Sequence, residues 1–232
     1  MALKTETHWQ PIGKRAHHGI AVSLSALRSR TSCGIGEFYD LIPLIDWCRQ
    51  ISFDCIQLLP LTDMGRDTSP YNSMSSCALD PIYLSLHTLP DANQAELAAS
   101  FHELTHLPRV AIQEVKQKKL NWLYTYFLHT FSSIEKTEDY QRFIEGQAWL
   151  LPYALFKACK TQYGERCWQD WPESARQYDP SLIHTSQQTV NFYVYLQYLC
   201  YKQLKTVRDY ATSQSVFLKG DLPILLSPDS VD

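Results

Sequence analysis

Two short apolar stretches, residues 19–24 and 55–59, bracket a helical pattern and constrain this chain's fold more than any other feature. Both are brief, apolar and partly β-branched, as expected of buried strands. Between them Leu41, Leu44, Ile45 and Cys48 recur at helical spacing, and Asp40 stands where an N-cap is expected. Pro43 falls at the third helical position, where a missing N–H costs no intrahelical bond. Strand, helix and strand within about forty residues predict a βαβ unit with parallel strands and a right-handed crossover. A long helix is expected over 187–212, its first half (190–201) almost wholly apolar and aromatic, followed by a third strand at 217–221. Residues 92–186 read as helical and irregular, with helix-like stretches near 94–106, 110–131 and 147–163, too much for one crossover helix. The order β-α-β-insertion-α-β fits an α/β fold, either a (β/α) barrel or a doubly wound sheet. Both designs put their chemistry at the carboxyl ends of the strands. The loops richest in Gly, Pro and Ser follow Leu24, Leu59 and Gly220, so one rim is expected to gather them.

Charge and composition narrow the function. With 21 Lys and Arg against 24 Asp and Glu, the net charge is −3, and no basic stripe exists to displace counterions from a nucleic acid. No run of about 18 apolar residues is present to cross a membrane. The first ten residues, with Lys4, Glu6, His8 and Trp9, do not read as a signal peptide. Seven cysteines, at 33, 48, 55, 77, 159, 167 and 200, form no C-x-x-C pair and read as reduced, mostly buried thiols of a cytoplasmic protein. Aromatic residues at 12% imply a large core or a surface that stacks on planar or sugar ligands.

Few motifs carry chemistry. His102-Glu103-Leu104-Thr105-His106 matches H-E-x-x-H, which on a helix places two histidines on one face for zinc, with Glu103 as base. Pro108 ends that helix, and Arg109 stands where the extended motif needs glycine, so a solvated helix end is the favoured reading and no metal is expected. His17 and His18 read as a solvent-facing loop pair. No phosphate-binding glycine loop and no G-x-S-x-G elbow occurs. Ser69-Pro70-Tyr71 is more specific: Pro70 fixes its own φ and extends Ser69, presenting Tyr71 rigidly at the rim or over the core. Asp221, beside Gly220 at the end of the third strand, is either a structural hub or a ligand contact.

These blocks resemble the amylomaltase-type 4-α-glucanotransferases of glycoside hydrolase family 77. The matching stretches are residues 19–27, Gly34-Ile35-Gly36-Glu37-Phe38, residues 56–61, Ser69-Pro70-Tyr71-Asn72-Ser73 running to 78–82, residues 147–156 with Trp171-Pro172, and 220–224 with Asp229-Ser230. They occur in family order over essentially the whole chain. The resemblance implies the first three strands of a (β/α)8 TIM barrel with a long helical insertion between strands 2 and 3. It divides the chain into 1–88, strands 1 and 2 with their loops; 89–186, the helical insertion; and 187–232, a barrel helix and strand 3. It implies retaining transfer of α-1,4-glucan segments between maltooligosaccharides, without a cofactor. In the family the nucleophilic Asp, the acid/base Glu and a third Asp follow the third strand. They are therefore expected beyond Asp232, and this segment alone is expected to be inactive. Carried over, Tyr71 matches the tyrosine that stacks on the sugar at the cleavage subsite, Ser69 stands beside it, and Asp221 matches the aspartate of the first amylase-type block. Two positions depart from the pattern: Leu225 where an aromatic residue is frequent, and Asp80-Pro81 where Asn-Pro is usual. The rival readings are a catalytically dead carbohydrate-binding remnant and a zinc peptidase through His102 and His106.

Overall fold

The computed structural model describes Gln10 and residues 12–232. Apart from Gln10, the stretch read above as no signal peptide lies outside the described residues. The strands are β1 (Gly19–Val22), β2 (Cys55–Leu58), β3 (Asn72–Ser73), β4 (Phe217–Lys219) and β5 (Leu225–Leu226). The helices are α1 (Leu41–Gln50), α2 (Gln94–Thr105), α3 (Ile112–Ile134), α4 (Glu138–Glu145), α5 (Leu150–Gln162), α6 (Leu182–Thr185) and α7 (Gln187–Ser213).

β1, β2 and β4 form one sheet in the order β1-β2-β4, every pair parallel, with Gly19 opposite Cys55 and Cys55 opposite Phe217. The predicted βαβ unit and third strand are therefore present, and their carboxyl ends share one edge. β1 stops at Val22, two residues short of the expected end, because Leu24–Ala26 turns into a single helical turn. Gly36 folds back against that turn so closely that a Cβ there would lie 1.8 Å from the Leu24 carbonyl oxygen. β3 and β5 make a second, separate parallel pair, Asn72 opposite Leu225.

α7 spans the molecule behind the sheet. Every residue from 192 to 200 is buried, so this stretch packs on all sides, as its run of apolar and aromatic residues around Gln197 implies. Two buried glutamines on α7 clamp the chain that leads away from β3. Gln197 Nε2 donates to the Leu79 carbonyl at 2.8 Å while its Oε1 accepts the Leu79 N–H at 2.9 Å. Gln203 grips Ser85 in the same two-point way, at 3.0 and 2.8 Å. Both peptides are out of water, so the side-chain amides supply the hydrogen bonds a neighbouring strand would.

Three local expectations need correction. Asp40 stands at the N-cap position of α1 as expected, but its side chain caps nothing there: its backbone is already helical, and Oδ2 accepts the Glu37 N–H at 2.8 Å and the Ser32 hydroxyl at 2.7 Å. His17 is not a solvent-facing loop residue, because Asp54 draws it in. Its Nδ1 is 2.8 Å from Asp54 Oδ2, and its ring meets Phe217 edge-on. α4 falls outside the helix-like stretches expected within 92–186, since only Tyr140, Phe143 and Ile144 of its eight residues are apolar. Those rings suffice, Tyr140 and Phe143 both packing edge-on against Tyr198 of α7. All seven cysteines are unpaired thiols; Cys33, Cys48, Cys159 and Cys200 are buried. Among the described residues, no helix is long and apolar enough to cross a membrane.

Candidate functional site at the carboxyl edge of the sheet

The loop after β2 is closed at its base by backbone bonds. Asp63 N–H donates to the Ala78 carbonyl at 2.9 Å, Met74 N–H donates to the Asp63 carbonyl at 2.8 Å, and Thr62 bridges Leu79. At the tip, Asp67 collects the Asn72 side-chain amide at 2.5 Å and the Ser69 N–H at 2.9 Å. Those two bonds hold its carboxyl below the usual range. Ser69 Oγ accepts the Tyr71 N–H at 3.3 Å, and the Ser69 carbonyl accepts the Asn72 N–H at 3.2 Å. Ser69 thus spends its hydroxyl on shaping the turn, while Pro70 stiffens it. Tyr71 emerges 39% exposed, so it does not cover the core.

Its hydroxyl donates to Asp221 Oδ2 at 2.9 Å, across 150 positions of sequence. Asp221 lies two residues beyond β4, and its Oδ1 accepts the Leu222 N–H at 2.9 Å. The hydrogen bond to Asp221 raises the Tyr71 phenol above its ordinary value, so it remains a donor. The β3–β5 pairing brings the two together, because it lays the chain after Asp221 alongside the chain after Tyr71. Two of the three predicted site residues therefore meet, and the third builds the turn under one of them.

Sequence reasoning missed what lies beneath. Asp63 is fully buried, yet it takes Lys116 Nζ at 2.9 Å, Lys157 Nζ at 3.0 Å, the Tyr153 hydroxyl at 2.7 Å and the Gly65 N–H at 2.9 Å. Lys116 Nζ also donates to the Gly65 carbonyl and to Asp80 Oδ2, both at 2.8 Å. Asp80 further accepts the Met64 and Ile82 N–H groups. Burial disfavours charge on Asp63, but Lys116 and Lys157 outweigh it and hold its carboxyl well below the ordinary value. Burial likewise opposes charge on Lys116, and Asp63 and Asp80 overcome it. Two carboxylates and two lysines thus form a neutral, hydrogen-bonded cluster that ties the base of the Tyr71 loop to α3 and α5. The Asp80 departure acquires a physical role here: its second carboxylate oxygen serves a buried lysine. A sequence signal existed, for Lys116 and Lys119 fall on the same α3 stripe as Val115, Leu123 and Phe127.

His102 and His106 lie at the end of α2 with ring centroids 4.6 Å apart. Among the described residues no three His, Cys, Asp or Glu side chains gather as a metal site.

The architecture so far is an α/β protein with a parallel sheet and an aromatic–carboxylate pair at its carboxyl edge. A family description for 4-alpha-glucanotransferase, glycosyl hydrolase family 77, matches residues 22–232. A 4-alpha-glucanotransferase of Chlamydia pneumoniae is 44% identical over 232 residues, covering 97% of this chain and 44% of that protein. One from Clostridium butyricum is 28% identical over 214 residues, covering 86% of this chain and 42% of that protein. The solved amylomaltase from Streptococcus agalactiae in complex with acarbose superposes with a TM-score of 0.81 at 22% identity, over 94% of this chain and 45% of that one. This chain belongs to glycoside hydrolase family 77. It spans less than half the length of these relatives. Membership gives the zinc-peptidase reading no support.

Proposed function

We propose that this chain carries one side of the glucan cleft of a 4-α-glucanotransferase. The observation that carries the reading is the Tyr71–Asp221 hydrogen bond at the carboxyl edge of the sheet. A tyrosine pinned through its hydroxyl offers a flat, oriented face on which a glucosyl ring stacks. Asp221, with Ser69 shaping the turn, supplies polar contacts beside that face. The substrates are α-1,4-glucans and maltooligosaccharides, in a cytoplasmic setting. Transfer proceeds by double displacement. A carboxylate attacks the anomeric carbon and breaks the glycosidic bond, while a carboxylic acid gives its proton to the leaving oxygen. The hydroxyl of an acceptor glucan then attacks the glucosyl ester, returning its proton to the same acid/base group and releasing the nucleophile. We assign the nucleophile and the acid/base to the part of the relatives' length that this chain does not span.

In this reading β1, β2 and β4 are the first three strands of a (β/α)8 barrel. Residues 89–186 are a helical insertion, flanked by barrel units at 1–88 and 187–232. The test is disproportionation by the complete protein: maltotriose should yield glucose together with chains longer than maltotriose. Sugar binding without turnover would favour the remnant reading.

A further inference from the structure

A cavity of about 510 Å3 lies between the loop after β1, at residues 29–33, and α2. That volume falls within the range of small-molecule sites. Its titratable lining is His87, His102 and His106 with Arg30 and the buried thiol Cys33, beside the hydroxyls of Ser29 and Thr31. No Asp or Glu lines it, although the chain as a whole is acidic. The cavity shares no residue with Tyr71 or Asp221, and it absorbs both histidines of the motif that glucan transfer leaves unused.

Of its basic groups only His87 has, among the described residues, a carboxylate close by, Glu37 Oε2 at 3.8 Å. Among the described residues the Arg30 guanidinium and the ring nitrogens of His102 and His106 have no hydrogen-bond or ion-pair partner. The carboxylates behind the wall are engaged elsewhere. Glu37 Oε1 pairs with Lys119 Nζ at 2.5 Å and accepts the Cys33 N–H at 3.1 Å; Asp40 holds Ser32 and the Glu37 N–H. The carboxyl end of α2 carries partial negative charge, and Arg28 covers it by donating to the Thr105 carbonyl at 2.9 Å and the Leu107 carbonyl at 3.3 Å.

Two buried atoms at the back of the cavity are unsatisfied: Glu37 Oε2 and His87 Nδ1, 3.8 Å apart. Such orphans are rare in folded proteins. Only as an imidazolium does His87 carry two N–H donors, one for the Glu37 side and one for a bound anion. The walls are closely packed. Gly34, at φ +81°, brings the loop so near α2 that a Cβ would lie 2.9 Å from the Leu104 Cβ.

We propose that this cavity binds the phosphate group of a small molecule, held by Arg30, His87, His102 and His106. Arg30 supplies a permanent, forked donor set, which suits phosphate oxygens. The test is calorimetric titration of the complete protein with inorganic phosphate, glucose 6-phosphate and glucose, at fixed ionic strength in chloride. Saturable binding of inorganic phosphate is expected, at least tenfold weaker in Arg30→Ala/His87→Gln and unchanged in Tyr71→Ala. Arg30 is exposed and makes no side-chain bond among the described residues, so the single Arg30→Ala variant is expected to keep the fold and gives a second reading of the same loss. Tighter binding of glucose 6-phosphate than of phosphate identifies a phosphorylated sugar as the source; equal affinity identifies the free ion. Absence of saturable binding by both phosphate probes, or equal binding by the two Arg30 variants and the parent, would overturn the proposal.

Discussion

Lys116→Met is expected to destabilise the complete protein by about 3–5 kcal/mol, the cost of stripping one partner from a buried ion cluster. Lys116 is the only group that touches both Asp63 and Asp80 among the described residues, so its loss leaves two buried carboxylates short of counter-charge. The methylenes of Met fill most of the vacated volume, which keeps the effect electrostatic rather than one of packing. Chemical denaturation reads the change directly. Adding Asp80→Asn to Lys116→Met should recover part of the loss, because it removes one of the stranded charges and leaves Asp63 to Lys157. That combination restores at position 80 the residue usual in the resembling family. The exposed Arg142→Ala, whose partner Glu138 is one turn away on α4, should leave the midpoint unchanged. Equal midpoints for Lys116→Met and Arg142→Ala would contradict the role assigned to the cluster.

Tyr71→Ala is expected to lower kcat/KM for maltotriose at least tenfold, through loss of the stacking face. Tyr71→Phe keeps that face and should lose less. What it does lose is the hydroxyl that Asp221 accepts, so the ring is free to tilt. A double-mutant cycle separates the two contributions. Tyr71→Phe and Asp221→Asn should be non-additive, since each already breaks the same contact. Additive losses would mean that Asp221 acts on substrate without regard to Tyr71, and unchanged kinetics in Tyr71→Ala would remove the stacking role altogether.

The sheet and the long helix were readable because short strands and a helix packed on all sides leave mainly apolar runs, as at 19–24, 55–59 and 192–200, each interrupted by a polar residue (Ser23, Gln57, Gln197). β1 is nevertheless half-exposed rather than buried as expected. Pro70 made the stiff turn at Tyr71 readable and the strand end made Asp221 a candidate, while their pairing as a sugar site was only what the family resemblance implied. Their hydrogen bond was not readable, for it depends on β3 and β5, each two residues long and without periodicity to detect. The buried cluster escaped for a different reason. A lysine on an apolar stripe looks like a break in the pattern until its acceptors are known, and Asp63, Gly65 and Asp80 lie 53, 51 and 36 positions from Lys116. Asp40 satisfied the rule for an N-cap, yet its carboxylate reaches back three residues to Glu37. Local chemistry predicted the right residue type there with the wrong partner.

The central claim, that Tyr71 and Asp221 line the glucan cleft, is met most directly by a crystal structure of the complete protein bound to acarbose. The account predicts one ring of the ligand stacked on the face of Tyr71, with Asp221 within hydrogen-bond distance of a sugar hydroxyl. A ligand bound elsewhere, leaving the Tyr71 ring uncovered and Asp221 engaged only by Tyr71 and Leu222, would contradict it.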